Sequence, residues 1–462
     1  MTAQARPAPA VDEALTQALA CLVAGLRGQD VPAAARQEAR RAIADCIGCG
    51  LAGATDAVTH IAAQTLGCAS GDCALWGRAD RASAGDAALI NGCAAHAHAL
   101  DDTHESLRGH PSAPIVPAIL ALGEKLGSDG ADLVTAYVAG VEAAGRLGRS
   151  VNDRHSQLGW HTTSTLGAVG AAAACASLLR LGNERTRNAL GIAASMAGGL
   201  RVNFGTMTKA LHAGLAAKHG VLAAQLAANG MTASPAALEG REGFLQLFCD
   251  DGSQDPGRAL QKLGQAFEVT SPGIVYKQYP TCSLMHALVD MVLQARAKGV
   301  FASGEEGVEL RCGISRRLDA ARVEDWPQAG LQAKFHVEYC VAVAACWGTQ
   351  DIRDFTDAAV RRPQARAWAG KVRLSLGQDF PEGNGDYASF SVLRDAAEVF
   401  RQVQAKPLGH PSMPLSNAQH EAKFMRHAAA ALPPERVAGL WHLLNAPQPC
   451  HARDLAVALA AP

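Results

Sequence analysis

The sequence is poor in aromatic side chains: Phe, Trp and Tyr make up 5% of 462 residues. That scarcity argues against a β-sandwich, whose strands draw on aromatic and β-branched residues. Net charge is also nearly absent. Lys and Arg number 42 against 43 Asp and Glu, a formal net charge of −1. Such a balance excludes a protein whose main work is gripping nucleic acid or an anionic membrane. No apolar run is long enough to span a bilayer; the longest, Leu166 to Leu179, is mostly Ala and Gly. The first ten residues are polar and Pro/Ala-rich, so no signal peptide is expected. Glycine-rich stretches lack both GxGxxG after a strand and GxxxxGK[ST], which leaves nucleotide binding without support. The 13 cysteines are odd in number and scattered through apolar patterns. Without an export signal, a reducing cytosol is the expected compartment. Cys46 and Cys49 have CxxC spacing but no second ligand pair, so they read as core packing rather than a zinc site.

What the sequence does have is alanine, 46 glycines and 48% hydrophobic residues. Small residues let helices approach closely, and alanine has the highest helix propensity. Apolar spacing predicts helices over 11–27, 31–52, 83–100, 112–125, 130–148, 162–180, 184–199, 207–228 and 241–249. Residues 74–76 form a short extended candidate. The texture changes near residue 267. Strand patterns at 307–315, 371–376 and 400–404 then alternate with helical stretches at 281–297 and about 327–348. Helical spacing returns at 416–432, 434–444 and 451–460. The expected fold is therefore mainly α. A large all-helical domain is built from both termini (1–270 plus 406–462), with an inserted smaller α+β lid domain (271–405).

Four segments carry candidate chemistry. Asn91 to His110 crowds His96, His98, Asp101, Asp102, His104, Glu105, Arg108 and His110 between two apolar helices. Burying such groups unpaired is costly; a solvated loop is the plainer alternative. His110 also precedes a helix start, where anions bind. Residues 159–165 place His161 and several hydroxyls on the first turn of a helix whose free N–H groups suit a carboxylate, or are simply capped. Lys209 and His212 share a helix face, with Lys209 either a carboxylate clamp or a snorkelling surface residue. Lys277, Tyr279, Cys282 and His286 lie where the texture changes, a place for a cleft. Together these segments supply imidazoles, ammonium groups and helix N–H donors. That set suits proton abstraction next to a carboxylate.

The run NGCAAHAHALDDTHESLRGHPSAPIVPAILALGE resembles the signature of the MmgE/PrpD family. GWHTTSTLGAVGAAAACASLLRLG, GTMTKALHAGLAAKHG, KQYPTCSLMH, AKFHVEYCVAVAACWG and PLSNAQHEAKF resemble its later blocks, in order. The family includes 2-methylcitrate dehydratase, cis-aconitate decarboxylase and iminodisuccinate epimerase. Membership implies an enzyme, usually a homodimer, that acts on a small di- or tricarboxylate without metal or cofactor; a cytoplasmic place and the lack of membrane or nucleic-acid partners are expected from the composition above. The resemblance implies His110 as catalytic acid/base and His161 as a second active-site histidine. It places Asp101, Asp102 and Thr103 in the block lining the pocket, the two aspartates among the catalytic residues and Thr103, with His104 beside it, among those that bind substrate. Lys209 and Lys277 are implied to contact substrate carboxylates, with Tyr279, Cys282 and His286 in a further lining block. The expected reaction is a 2-methylcitrate-dehydratase-like hydro-lyase. Decarboxylation, epimerisation and a non-catalytic carboxylate binder are the alternatives. Three places depart from the family pattern, one being the loop from Asp102 to His110, slightly longer than in the decarboxylases. Ala99 stands where members often carry an acid two positions before the DD pair, and His336 and Glu338 interrupt the usual KFSxxY block.

Overall fold

Alanine and glycine set how closely the helices lie. The structure, a computed structural model, describes residues 14–68, 71–302, 304, 306–377, 386–446 and 450–461. The opening stretch read for a signal peptide, and the start of the helix expected from residue 11, lie outside the described residues. The first helices are Leu15–Gly25, Ala33–Gly53, Ala57–Leu66, Ala84–Ala97, Ser112–Leu126, Gly130–Gln157, Thr162–Leu178, Asn183–Ser195 and Thr208–Ala228. Thr162–Leu178 is buried along almost its whole length, as its all-round small and apolar sequence requires. It packs between Gly130–Gln157 and Thr208–Ala228. After the strands, helices Asn417–Ala428, Pro434–Leu444 and Ala452–Leu459 return to this group. Asn417–Ala428 lies on Ala33–Gly53 and Ala452–Leu459 on Ser112–Leu126.

The principal sheet has four strands in the order Val372–Leu376, Val308–Ile314, Ala388–Arg394, Ala397–Gln404. The first pair is parallel and the others antiparallel. Buried apolar side chains form two clusters. One draws on residues between Leu15 and Tyr276 and between Leu415 and Leu459. The other runs from Met285 to Phe390 and Val392 and includes the helices His286–Ala297 and Val337–Trp347. No single helix among the described residues is long and apolar enough to cross a membrane. One bent pair, Ala33–Gly53 with Ala57–Leu66, passes by length and composition but turns through 84°.

Several elements differ from the sequence reading. The helix expected over 327–348 breaks into Gly330–Ala333 and Val337–Trp347. His336 breaks it: its Nδ1 accepts from the Tyr339 N–H at 3.1 Å, an N-cap that restarts the helix. The helix at Ala57–Leu66, capped by Asp56, and the strand Ala388–Arg394 were not expected. Residues 241–249 shrink to Phe244–Phe248, and Gly130–Gln157 runs past 148.

One crossing positions the site. A Cβ on Gly92 would lie 2.8 Å from the Gly214 Cα, so the helices Ala84–Ala97 and Thr208–Ala228 touch backbone to backbone. Gly92→Ala is expected to destabilise the protein by about 1–3 kcal/mol, as overpacking does. A denaturant midpoint unchanged from wild type would count against this close approach.

Candidate active site

The Ala84–Ala97 helix ends at His98, and Ala99 turns the chain with a left-handed φ of 54°. The following loop delivers Asp101 and Asp102, then Arg108, Gly109 and His110, before Ser112–Leu126 begins. The first turn of Thr162–Leu178 holds that loop. The Thr162 hydroxyl donates to the Arg108 carbonyl at 2.7 Å, and the His110 N–H donates to Thr163 Oγ1 at 3.1 Å. A Cβ on Gly109 would meet Thr162 Oγ1 at 2.6 Å and Thr163 N at 2.9 Å. Only glycine fits there.

Asp101 is the hub. Its Oδ2 lies 2.7 Å from His96 Nδ1 and 2.9 Å from His110 Nδ1. Burial alone would raise its pKa, but the two imidazoles and their hydrogen bonds hold it well below the usual carboxylate range. Asp102, its neighbour, is pushed well above that range by burial, with Asp45 and Asp101 adding to the rise. The adjacent carboxyls are thus pushed in opposite directions. Burial lowers His110, and burial together with Lys209 lowers His96 to about 3. Both are neutral rings donating from Nδ1 to the carboxylate. Nε2 of His96 then accepts from the Lys209 ammonium at 2.5 Å. Nε2 of His110 remains as a proton acceptor on an imidazole that lines the cavity.

A second imidazole pair stands alongside. His161 Nδ1 and His212 Nδ1 are 3.0 Å apart, sharing one hydrogen. The His161 ring stacks on His96 at 5.7 Å. Burial, then Lys209, drives His161 well below the ordinary imidazole value. Three buried lysines complete the field. Burial lowers Lys209 to about 7 and both Lys277 and Lys334 to about 8, while Asp101 works against the fall. Lys277 donates to the Ala99 carbonyl.

His110, His161, Lys209 and Lys277 line one cavity of about 760 Å³, with Asp101, His96 and His212 behind them. Of the residues expected from sequence, Thr103, His104, His110, His161, Lys209, Lys277, Cys282 and His286 line it. Asp101, Asp102 and Tyr279 do not. Asp101 sits behind His110, Asp102 accepts from the Ser112 hydroxyl at 2.5 Å, and the Tyr279 hydroxyl donates to Asp290 at 2.6 Å. The expected set omits His96, His212, Thr281 and Arg201. His212 was visible as the i+3 neighbour of Lys209; His96 gave only its place in the crowded block. Thr281 Oγ1 and His286 Nε2 are buried without a hydrogen-bond partner, and both residues line the cavity. His96, Asp101 and His110 also bring ligand atoms within 4.8 Å of one another. Two imidazoles and a carboxylate could hold a metal ion. Here the Lys209 ammonium already occupies His96 Nε2, so a dication would face a cation.

The MmgE/PrpD N-terminal domain pattern matches residues 17–256, and the MmgE/PrpD C-terminal domain pattern matches 279–442. The chain belongs to the MmgE/PrpD family. It is similar to the human cis-aconitate decarboxylase, 29% identical over 433 residues, covering 91% of this chain and 89% of the relative. The Aspergillus terreus cis-aconitate decarboxylase is 27% identical over 440 residues, 89% of each chain. A cis-aconitate decarboxylase-like protein of Aspergillus oryzae is 31% identical over 448 residues, 92% of each.

The depressed Lys209 and Lys277, which line the cavity, would make the binding of an anion there pH-dependent. A bound carboxylate favours the charged ammonium and raises its pKa. Below pH 7 both lysines are already protonated and affinity is greatest. Above 7 for Lys209 and above 8 for Lys277, binding must take up protons. Affinity for a polycarboxylate is therefore expected to fall as pH rises through this window. Calorimetry in buffers of different ionisation enthalpy should show proton uptake near pH 8; an observed heat independent of buffer would contradict it.

Proposed function

We propose that this chain decarboxylates a small unsaturated tricarboxylate of the cis-aconitate type. The observation that carries the chemistry is His110, anchored on ionised Asp101 beside Lys209 at the wall of a cationic cavity. The choice of reaction rests on relatives named as cis-aconitate decarboxylases, matched along about nine-tenths of both chains. These relatives favour decarboxylation over the dehydration expected from sequence.

In this reading Lys209 and Lys277 take two substrate carboxylates. Loss of CO2 leaves the electron pair of the broken C–C bond on the substrate. Nε2 of His110 first takes a proton from solvent water in the open cavity, with Asp101 stabilising the imidazolium, and then gives that proton to the carbon that holds the electron pair, which returns the ring to its neutral form. The departing carboxylate becomes neutral, which the apolar wall of Phe204 and Phe335, with ring centroids 5.5 Å apart, favours.

Proton NMR in D2O with cis-aconitate, 2-methylcitrate, citrate and iminodisuccinate tests the assignment. The expected result is CO2 release from cis-aconitate with deuterium incorporated into the product. Conversion of 2-methylcitrate with cis-aconitate left untouched would restore the dehydratase reading. Because Lys209 occupies His96 Nε2, turnover is expected to survive exhaustive treatment with a chelator; loss of activity restored by a divalent metal would refute this.

A further inference from the structure

The cavity exceeds the needs of a tricarboxylate. Its 760 Å³ lies in the range of roughly 300–1,000 Å³ typical of sites for drug-sized ligands. The inner end, where His110, Lys209 and Lys277 stand, provides enough cations for a small tricarboxylate. The cavity also takes in Arg108, Arg201 and Arg317. One aromatic ring joins the two cationic groups. The Arg201 guanidinium lies 5.7 Å and the Lys209 ammonium 5.6 Å from the Phe204 centroid. A single extended ligand can therefore reach both.

The outer end is built rather than incidental. Arg201 donates to the Ser156 carbonyl at 2.7 Å, which fixes its direction. Arg108 has a left-handed φ of 51°, uncommon for a non-glycine residue and a mark of functional loops. It pairs with Asp153, which also lines the cavity. Among the described residues no carboxylate stands within ion-pair distance of Arg201 or Arg317. Burial, then repulsion from Arg317, lowers Arg108 to about 10; Arg201 is lowered by burial and, against the opposing influence of Cys282, by Arg317. Glu105, Asp153 and Asp386 also line the cavity, but among the described residues they pair with Lys406, His410 and Arg108, so Arg201 and Arg317 are left without an ion-pair partner there.

We propose that this outer end is a second carboxylate subsite, in which Arg201 and Arg317 clamp the distal carboxylate of polycarboxylates longer than the cis-aconitate type, which the inner end holds without it. Guanidinium forks match a carboxylate in two parallel hydrogen bonds. Arg201 lies in the 3-10 turn between the helices Asn183–Ser195 and Thr208–Ala228, and Arg317 follows the strand Val308–Ile314. The distal group would thus bridge the two apolar clusters. This proposal rests on reading the inner end as a polycarboxylate site.

The test is calorimetric titration of the full chain with propane-1,2,3-tricarboxylate and butane-1,2,3,4-tetracarboxylate, in wild type, Arg201→Gln and Arg317→Gln. The expected result is at least tenfold tighter binding of the tetracarboxylate by wild type, with that ratio falling towards one in both variants. Arg317 is exposed, so its replacement leaves the core untouched. Equal affinities in wild type, or a ratio that survives in either variant, overturns the outer subsite. Arginine-dependent binding of the tetracarboxylate with no binding of the tricarboxylate supports the outer subsite and overturns the inner reading. No binding of either ligand overturns both.

Discussion

His110→Ala is expected to lower turnover of cis-aconitate by about 10²–10⁴-fold, the usual contribution of a positioned acid–base group. The loss should fall on kcat, because Lys209 and Lys277, which would hold the carboxylates, remain. The fold should persist. The His110 ring is partly open to the cavity, and the hydrogen bond that fixes the loop comes from its backbone N–H to Thr163, not from the ring. Thermal unfolding measured beside turnover separates the two effects. Added imidazole should restore part of the rate by entering the vacated space. Turnover near the wild-type value would remove His110 from the reaction.

Asp101→Asn tests the hub and is expected to cost a comparable factor for a different reason. The carboxylate accepts from both His96 and His110 on one oxygen. An amide is neutral and presents a donor on one side, so His110 loses the partner that stabilises its protonated form. The change also reaches the lysines. Asp101 opposes the depression of Lys209 and Lys277, so removing its charge lowers both further. The pH above which substrate affinity falls should therefore move to lower values in the variant. A drop in rate with no shift of the affinity profile would mean that Asp101 acts only through packing.

The sequence made much of this arrangement legible, through two kinds of signal. Apolar spacing located most helices because small residues repeat with helical period, as in Thr162–Leu178. It failed where a single polar group decides, as at His336, whose cap divides one expected helix. It also failed at Ala388–Arg394, whose short alternation is confirmed only by pairing with Val308–Ile314. Within the cavity, residue type flagged His110, His161, Lys209 and Lys277 because imidazole and ammonium groups stand out in apolar surroundings. The reach of Lys209 to His96 was not legible. That contact depends on the glycines that let two helices touch, and glycine says nothing about which partner it will meet. Nor did the sequence distinguish Asp101 from Asp102. Two adjacent identical residues are shifted in opposite directions because burial, with Asp45 and Asp101 beside it, pushes Asp102 up, whereas two imidazoles hold Asp101 down against its burial.

The helix Asn417–Ala428 sends Lys423 into the centre of the molecule, where it pairs with Asp45 at 2.6 Å and donates to the carbonyl of Leu100 at 3.1 Å. Leu100 immediately precedes Asp101. The hub is thus braced by a residue more than three hundred positions further along the chain. During synthesis, which proceeds from the N-terminus, Asp45 must wait for its counter-ion until almost the whole polypeptide has left the ribosome. The early helices can gather, but the nascent chain carries an unfinished centre, and competence arrives as a late and abrupt event rather than by degrees.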